Sequence, residues 1–234
     1  MLEGLLTQLV DFDGDLFRNI KGMRVSQDLF DDLADRPSHR AVAMAATATT
    51  KPNSASPLLS RPFDYGTVLA HPFQSENWHA TRFSDGTAFG VWYGSQQVKT
   101  TVFETVFHWT RFVLDSFPDY KDTIISERRV FRARCRGLLV DLREKHKTYP
   151  QLLDPKSYRF SNKIGTYLYD RHASGLLVKS ARCDGINGDV FNADLLSNPR
   201  DYCYLTYTWQ CGAEHVRVER TPGRTWMRLP VTYN

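Results

Sequence analysis

The sequence predicts an α+β domain, and three observations carry that prediction. One long segment, Gln96 to about Ser116, has apolar residues at helical steps. Short β-branched and aromatic runs surround it, and the final third of the chain is almost wholly strand-like. At 234 residues the chain can bury one sizeable core and carry an additional N-terminal segment. Its 41% hydrophobic and 24% charged content is a globular balance rather than a disordered or membrane-embedded one. The net charge of +4 suits an anionic ligand but is too mild for a dedicated DNA binder.

Taken in order, residues 1–40 show three- and four-residue apolar steps (Leu5, Leu9, Phe12, later Leu29 and Leu33) and are expected to form helices. Residues 41–57 are rich in Ala, Thr, Ser and Pro and read as an exposed connector. Residues 1–57 are therefore a helical N-terminal extension with its connector, and residues 58–234 a single domain of central β-sheets with flanking helices. Inside that domain, Phe89–Tyr93 is a buried strand, and Ser95 is the expected N-cap of the helix that starts at Gln96. Val98, Val102, Val106 and Trp109 mark that helix's apolar face. Val130–Val140 alternates as a strand, with Arg132, Arg134 and Arg136 on one side. Pro150 and Pro155 bracket a loop, Tyr158–Tyr169 is a helix, and Leu176–Ser180 is a strand. The segment Asp184–Gly188 is read as a turn and Asp189–Asn192 as a second short strand. Strands follow around Tyr202–Trp209, Val216–Val218 and Trp226–Val231.

Several chemistries are disfavoured by the same reading. The four cysteines (Cys135, Cys183, Cys203, Cys211) include no C-x-x-C pair, so zinc and dithiol redox motifs have no support and reduced thiols are expected. The apolar run Met1–Val10 is interrupted by Glu3 and has no basic region before it. An unexported, cytoplasmic protein without a membrane span is the expectation. Asp11-Phe12-Asp13-Gly14-Asp15 resembles the first motif of haloacid-dehalogenase phosphatases, but no βαβ pattern with later Lys and acidic motifs follows. An EF-hand reading fails because Gly22 stands at the closing Glu position. The stripe Arg128 to Arg136 is better read as a solvated or acid-paired strand face than as a nucleic-acid contact, although a non-enzymatic, DNA-associated regulator remains the rival class.

One constellation does point to chemistry. Arg82 stands eleven residues before Tyr93, and Glu104 eleven residues after it, midway along the expected helix. Glu104 lies among Val102, Phe103, Val106 and Phe107, which argues for partial burial rather than the usual solvated helix glutamate. Ser180-Ala181-Arg182 then closes a strand. With Arg61 upstream, this order resembles the RES family over roughly residues 58–205, a family whose name records an Arg, a Glu and a Ser in one pocket. Many members read Gly-Gly-Arg where this chain has Ala80-Thr81-Arg82. Its N-terminal forty residues and the Glu104–Ser180 interval are also longer than in compact members.

The resemblance implies an ADP-ribosyltransferase-like fold and the toxin of a bacterial toxin–antitoxin pair. It further implies NAD⁺ as substrate, with no metal and no other cofactor. The implied partner is a helix-turn-helix antitoxin of the Xre type that covers the cleft and supplies any DNA contact indirectly, in a multimeric complex. In that frame Glu104 stabilises an oxocarbenium-like ribose, while Arg61 and Arg82 bind pyrophosphate oxygens. Tyr93 stacks on the nicotinamide or bonds the ribose, and Ser180 holds the nicotinamide amide or positions Glu104. Asn192 is a supporting residue at the edge of the pocket. The acceptor of the ADP-ribosyl group is phosphate, water or a protein side chain.

Overall fold

A nineteen-residue strand organises the molecule because its side chains alternate between the two faces without a break long enough to end it. The computed structural model describes residue 4 and residues 7–22 and 65–232. In chain order the strands are β1 (Leu9–Lys21), β2 (Trp92–Ser95), β3 (Thr123–Asp141), β4 (Gly175–Lys179), β5 (Ile186–Val190), β6 (Leu196–Gln210), β7 (His215–Thr221) and β8 (Arg224–Pro230). The α-helices are α1 (Tyr65–Ala70), α2 (Val98–Ser116) and α3 (Arg159–Tyr169).

The strand order is β1-β2-β5-β4-β3-β6-β7-β8, and β1 also pairs with β3. Consequently β3, β1, β2, β5 and β4 close into a ring, while β6, β7 and β8 extend from β3 as an antiparallel wing. The ring is completed by a single β1–β2 register pair, Phe17 with Ser95. Register shifts in the β3–β6 pairing, at Val130/Phe131 and Arg132/Arg134, each leave an extra residue on β6, the strand that bends there. Leu16, Trp92, Phe131, Ala133, Leu139, Leu177 and Val190 form one buried cluster. Helix α2 buries Val102, Val106 and Val113 against Leu205, Tyr207, Trp209, Val216 and Val218 of the wing. Helix α3 places Ile164 and Leu168 against Phe83, Phe89, Leu142, Leu152 and Val178. An ideal Cβ on Gly165 would stand 1.7 Å from the Phe83 carbonyl oxygen, so α3 and the Phe83 backbone touch with no side chain between them.

The fold class is α+β with a large central sheet, as the sequence predicts, but the expected N-terminal helix is corrected. Leu9–Lys21 is a strand paired with β3 along its whole length. Val10, Phe12, Gly14 and Leu16 alternate with Asp11, Asp13 and Asp15, a period of two that overrides the coincidental helical spacing of Leu9 and Phe12. The acidic face meets the arginine stripe: Asp13 pairs with Arg134 at 2.7 Å and Asp15 with Arg132 at 3.0 Å. Those arginines are neutralised across the ladder rather than offered to nucleic acid. Leu29, Leu33 and the connector 41–57 lie outside the described residues. Ser95 does not cap α2, which begins behind Gln97 without a side-chain cap; its hydroxyl instead donates to Asn187 Oδ1 at 2.7 Å.

Candidate active site

Where β1, β2, β5 and α2 converge, they enclose a cleft of about 640 Å³. Glu104 enters it from the middle of α2, and two neighbours determine its orientation. Ser180, just beyond β4 and 2% exposed, donates from Oγ to Glu104 Oε1 at 2.6 Å. Its own position is fixed twice: its amide donates to the Gly185 carbonyl at 2.7 Å, and its Oγ accepts from the Arg182 amide at 3.0 Å. Asn187 on β5 donates from Nδ2 to the same Glu104 oxygen at 2.9 Å, while its Oδ1 accepts from Ser95. Both donors fall on Oε1, and among the described residues none is recorded on Oε2. A carboxylate pinned through one oxygen presents the other in a defined direction.

The turn that carries Ser180 rests directly on the start of α2. A Cβ on Gly185 would lie 2.1 Å from Thr100 Oγ1, so only glycine permits this approach. The β4–β5 turn and α2 are thus held at a separation that brings Ser180, Asn187 and Glu104 together.

Tyr93 and Asp189 face each other in the β2–β5 register and both line the cleft. The Tyr93 hydroxyl donates to Thr81 Oγ1 at 2.8 Å and accepts from the Phe83 amide at 3.0 Å. Its hydroxyl therefore fastens the loop that bears Arg82, and only the ring is left to meet a ligand. Burial, reinforced by the Asp189 carboxyl, pushes the phenol's ionisation up. Asp189 is 1% exposed and its Oδ1 has no hydrogen-bond partner. Burial drives its carboxyl well above the ordinary range; Arg82 opposes that shift and Glu104 adds to it.

Arg82 lines the cleft on the side of that loop. Its Nη2 donates to the Leu152 carbonyl, and its Nε is buried without a partner. Asn162 of α3 donates to the carbonyls of Thr81 and Arg82 at 2.8 and 3.0 Å, so the α3–Phe83 packing sets the position of this arginine. Arg182 lies over the Phe107 ring, 3.4 Å from its centroid, and bonds the Tyr158 hydroxyl at 3.3 Å.

The structure thus brings Arg82, Tyr93, Glu104 and Ser180 to one place, while Arg61 lies outside the described residues. Asn192 stands apart from them. It caps a short 3-10 turn by accepting from the Asp194 amide at 3.0 Å, and it lines a separate cavity with Tyr169 and Phe191. Its short polar side chain serves the turn, two residues beyond the end of β5, and does not line the cleft.

Asn187 and Asp189 are not legible as site residues in the sequence: Asp184–Gly188 reads as a turn, and Asp189 only as the first residue of the strand after it. The strand begins at Ile186 instead, and its period of two sends both residues into the cleft. Among the described residues, no group of three or more His, Cys, Asp or Glu side chains is placed to hold a metal ion. None of the four cysteines is in a disulfide.

The RES domain family model matches residues 57–210, well over half of the chain. The chain belongs to the RES domain family. The matched span holds the Arg82 loop, β2, α2 and the β4–β5 turn, and hence every residue that fixes Glu104. Strand β1, which also lines the cleft of this RES domain, lies before it. Among solved structures, the chain is similar to one in a crystal structure of the M. tuberculosis MbcT-MbcA toxin-antitoxin complex. The identity is 11% and the TM-score 0.48, over 86% of this chain and 92% of that one. A search of the curated proteins finds no significant match.

Proposed function

We propose that this RES domain is the toxin of a toxin–antitoxin pair and that it cleaves the bond between nicotinamide and ribose in NAD⁺. The observation that carries the reading is the Glu104 carboxylate in the cleft wall, pinned through Oε1 by Ser180 and Asn187, with no donor to Oε2 among the described residues. As the N-glycosidic bond lengthens, nicotinamide leaves with the bonding pair and positive charge grows on the ribose. A carboxylate already oriented, and not reoriented during the reaction, lowers that barrier. Ser180 and Asn187 act through Glu104: they hold its position and charge. Arg82 binds a pyrophosphate oxygen, and the Tyr93 ring packs against the nicotinamide end. The cleft volume lies within the range of small-molecule sites, roughly 300–1,000 Å³.

The acceptor is phosphate, water or a protein side chain, and the product distinguishes them. Phe112, 62% exposed on the cleft rim, supports closure by a protein partner, for which we propose a helix-turn-helix antitoxin that also supplies the DNA contact. No helix among the described residues is long and apolar enough to cross a membrane. We place the reaction in the cytoplasm, where NAD⁺ would be depleted.

The test is nicotinamide release from NAD⁺ by purified chain, with and without inorganic phosphate and with Glu104→Ala alongside. Release by wild type that falls on the order of 100-fold or more in the variant is expected. Equal, slow release by both would overturn the reading. Phosphate-dependent product identifies phosphorolysis, and label retained on protein identifies protein modification.

A further inference from the structure

Two guanidinium groups that the proposed reaction does not use line the same cleft, and both depend on β1. Arg18 lies over Trp92, 5.3 Å from the ring centroid, and its Nη1 is enclosed with no hydrogen-bond partner. Burial lowers its ionisation to about 10, so it stays cationic at neutral pH. Several other arginines of the sheet meet carboxylates: Arg132 and Arg134 meet Asp15 and Asp13, and Arg217 meets Glu219. Arg18 meets none. The Arg18 side chain as a whole is half-buried, but a guanidinium nitrogen closed off from water is normally paired, because leaving water without a partner is costly. An unpaired one in a cleft wall is half of a site.

Arg128 supplies a second charge. It donates from Nε to Asn19 Oδ1 at 3.1 Å and from Nη2 to the Asn19 carbonyl at 3.2 Å, and it lies 5.9 Å from the Tyr207 centroid. Asn19 is itself locked by Thr105 at 3.2 Å and the Tyr207 hydroxyl at 2.7 Å. Neutral partners thus fix the group in place without cancelling its charge. Guanidinium groups of this kind match phosphoryl oxygens in geometry as well as sign.

We propose that Arg18 and Arg128 form an anion subsite, built by β1 ahead of the family-matched span, that takes a phosphoryl group. The group is either a phosphate carried by the dinucleotide or a free phosphate ion. The inference rests on the cleft assignment made above for NAD⁺, but not on the bond being cleaved.

The experiment is calorimetric titration of wild type, Arg18→Met and Arg128→Gln with ADP-ribose and, separately, with inorganic phosphate. Methionine keeps a stem over Trp92 and removes the charge. Loss of one charge-assisted contact is expected to weaken binding about 10- to 100-fold, while the Tm of Arg18→Met without ligand equals or exceeds that of wild type. Weakened ADP-ribose binding with no phosphate binding by wild type assigns the subsite to the ligand's own phosphate. Weakened phosphate binding with ADP-ribose unchanged assigns it to the free ion. If both variants bind both probes as wild type does, or wild type binds neither, the proposal is overturned. A lowered Tm with unchanged affinity makes Arg18 structural and also overturns it. If Arg18→Met does not fold, Arg128→Gln gives the same reading. Nicotinamide release is scored separately. Release with unaffected binding sinks only the subsite, and Arg18-dependent binding without release sinks only the reaction.

Discussion

Replacing Asn187 with Asp reverses the interaction that holds Glu104 while leaving volume almost unchanged. Nδ2, now 2.9 Å from Glu104 Oε1, becomes a carboxylate oxygen. At that separation two unit charges repel by about 6 kcal/mol at an effective dielectric near 20. Relaxation to roughly 5 Å leaves about 3 kcal/mol. Repulsion of that size makes the pair's second ionisation harder than its first. Where the two carboxyl groups share a proton, a neutralised Glu104 no longer stabilises positive charge on ribose. Nicotinamide release by Asn187→Asp is expected to be depressed at neutral pH and to recover partly as pH rises. The assay is release against pH for wild type, Asn187→Asp and Asn187→Ala. Alanine removes the donor without adding charge, so its profile keeps the wild-type shape at reduced height. An Asn187→Asp profile that superimposes on the alanine profile would refute the electrostatic reasoning.

Three further outcomes follow from the same geometry. Ser180→Ala removes the 2.6 Å bond to Glu104 and the acceptor of the Arg182 amide, so nicotinamide release is expected to fall about 10- to 100-fold. Wild-type turnover in that variant would remove Ser180 from the mechanism. Gly165→Ala sets a methyl 1.7 Å from the Phe83 carbonyl and displaces α3 from the Arg82 loop. A cost of about 1–3 kcal/mol, read by calorimetry as a Tm loss of about 3–10 °C, is expected, and an unchanged Tm contradicts the packing account. Asp189, whose carboxyl burial pushes well above the ordinary range, keeps its proton in the folded chain at pH values where the unfolded chain has lost it. Stability therefore falls as pH rises through the window between the ordinary carboxylate value and the raised one. Asp189→Asn removes this dependence, so its Tm advantage over wild type grows with pH across that window; parallel Tm curves would contradict it.

The parts of the fold legible from sequence are those written in local periodicity. Helices α2 and α3 and the strands after Leu196 lie close to where apolar spacing places them, because each carries its own buried face. The Arg82–Tyr93–Glu104 spacing was legible too, since β2 and α2 are consecutive and no distant partner decides their relation. Asn187 and Asp189 were not. Gly185 and Gly188 flank Ile186 and Asn187 as turn signals, and only pairing with β2 and β4 draws these two into the strand that carries Asp189. Residues 9–21 were misread for the same reason: a strand's hydrogen bonds go to another segment, here β3, which the local sequence does not reveal.

By itself, then, the sequence determined the class of the fold, the strand-to-helix unit that presents Tyr93 and Glu104, and the set of charged and hydroxyl groups available. Tertiary structure alone decided that Ser180 and Asn187 converge on one oxygen of Glu104, that the Tyr93 hydroxyl is spent on the Arg82 loop, and that Arg18 and Arg128 join the cleft. The physical reason is closure of the ring. It brings together β1, β2, β5 and the end of β4, segments far apart in the chain whose side-chain directions are fixed only once their ladders have formed.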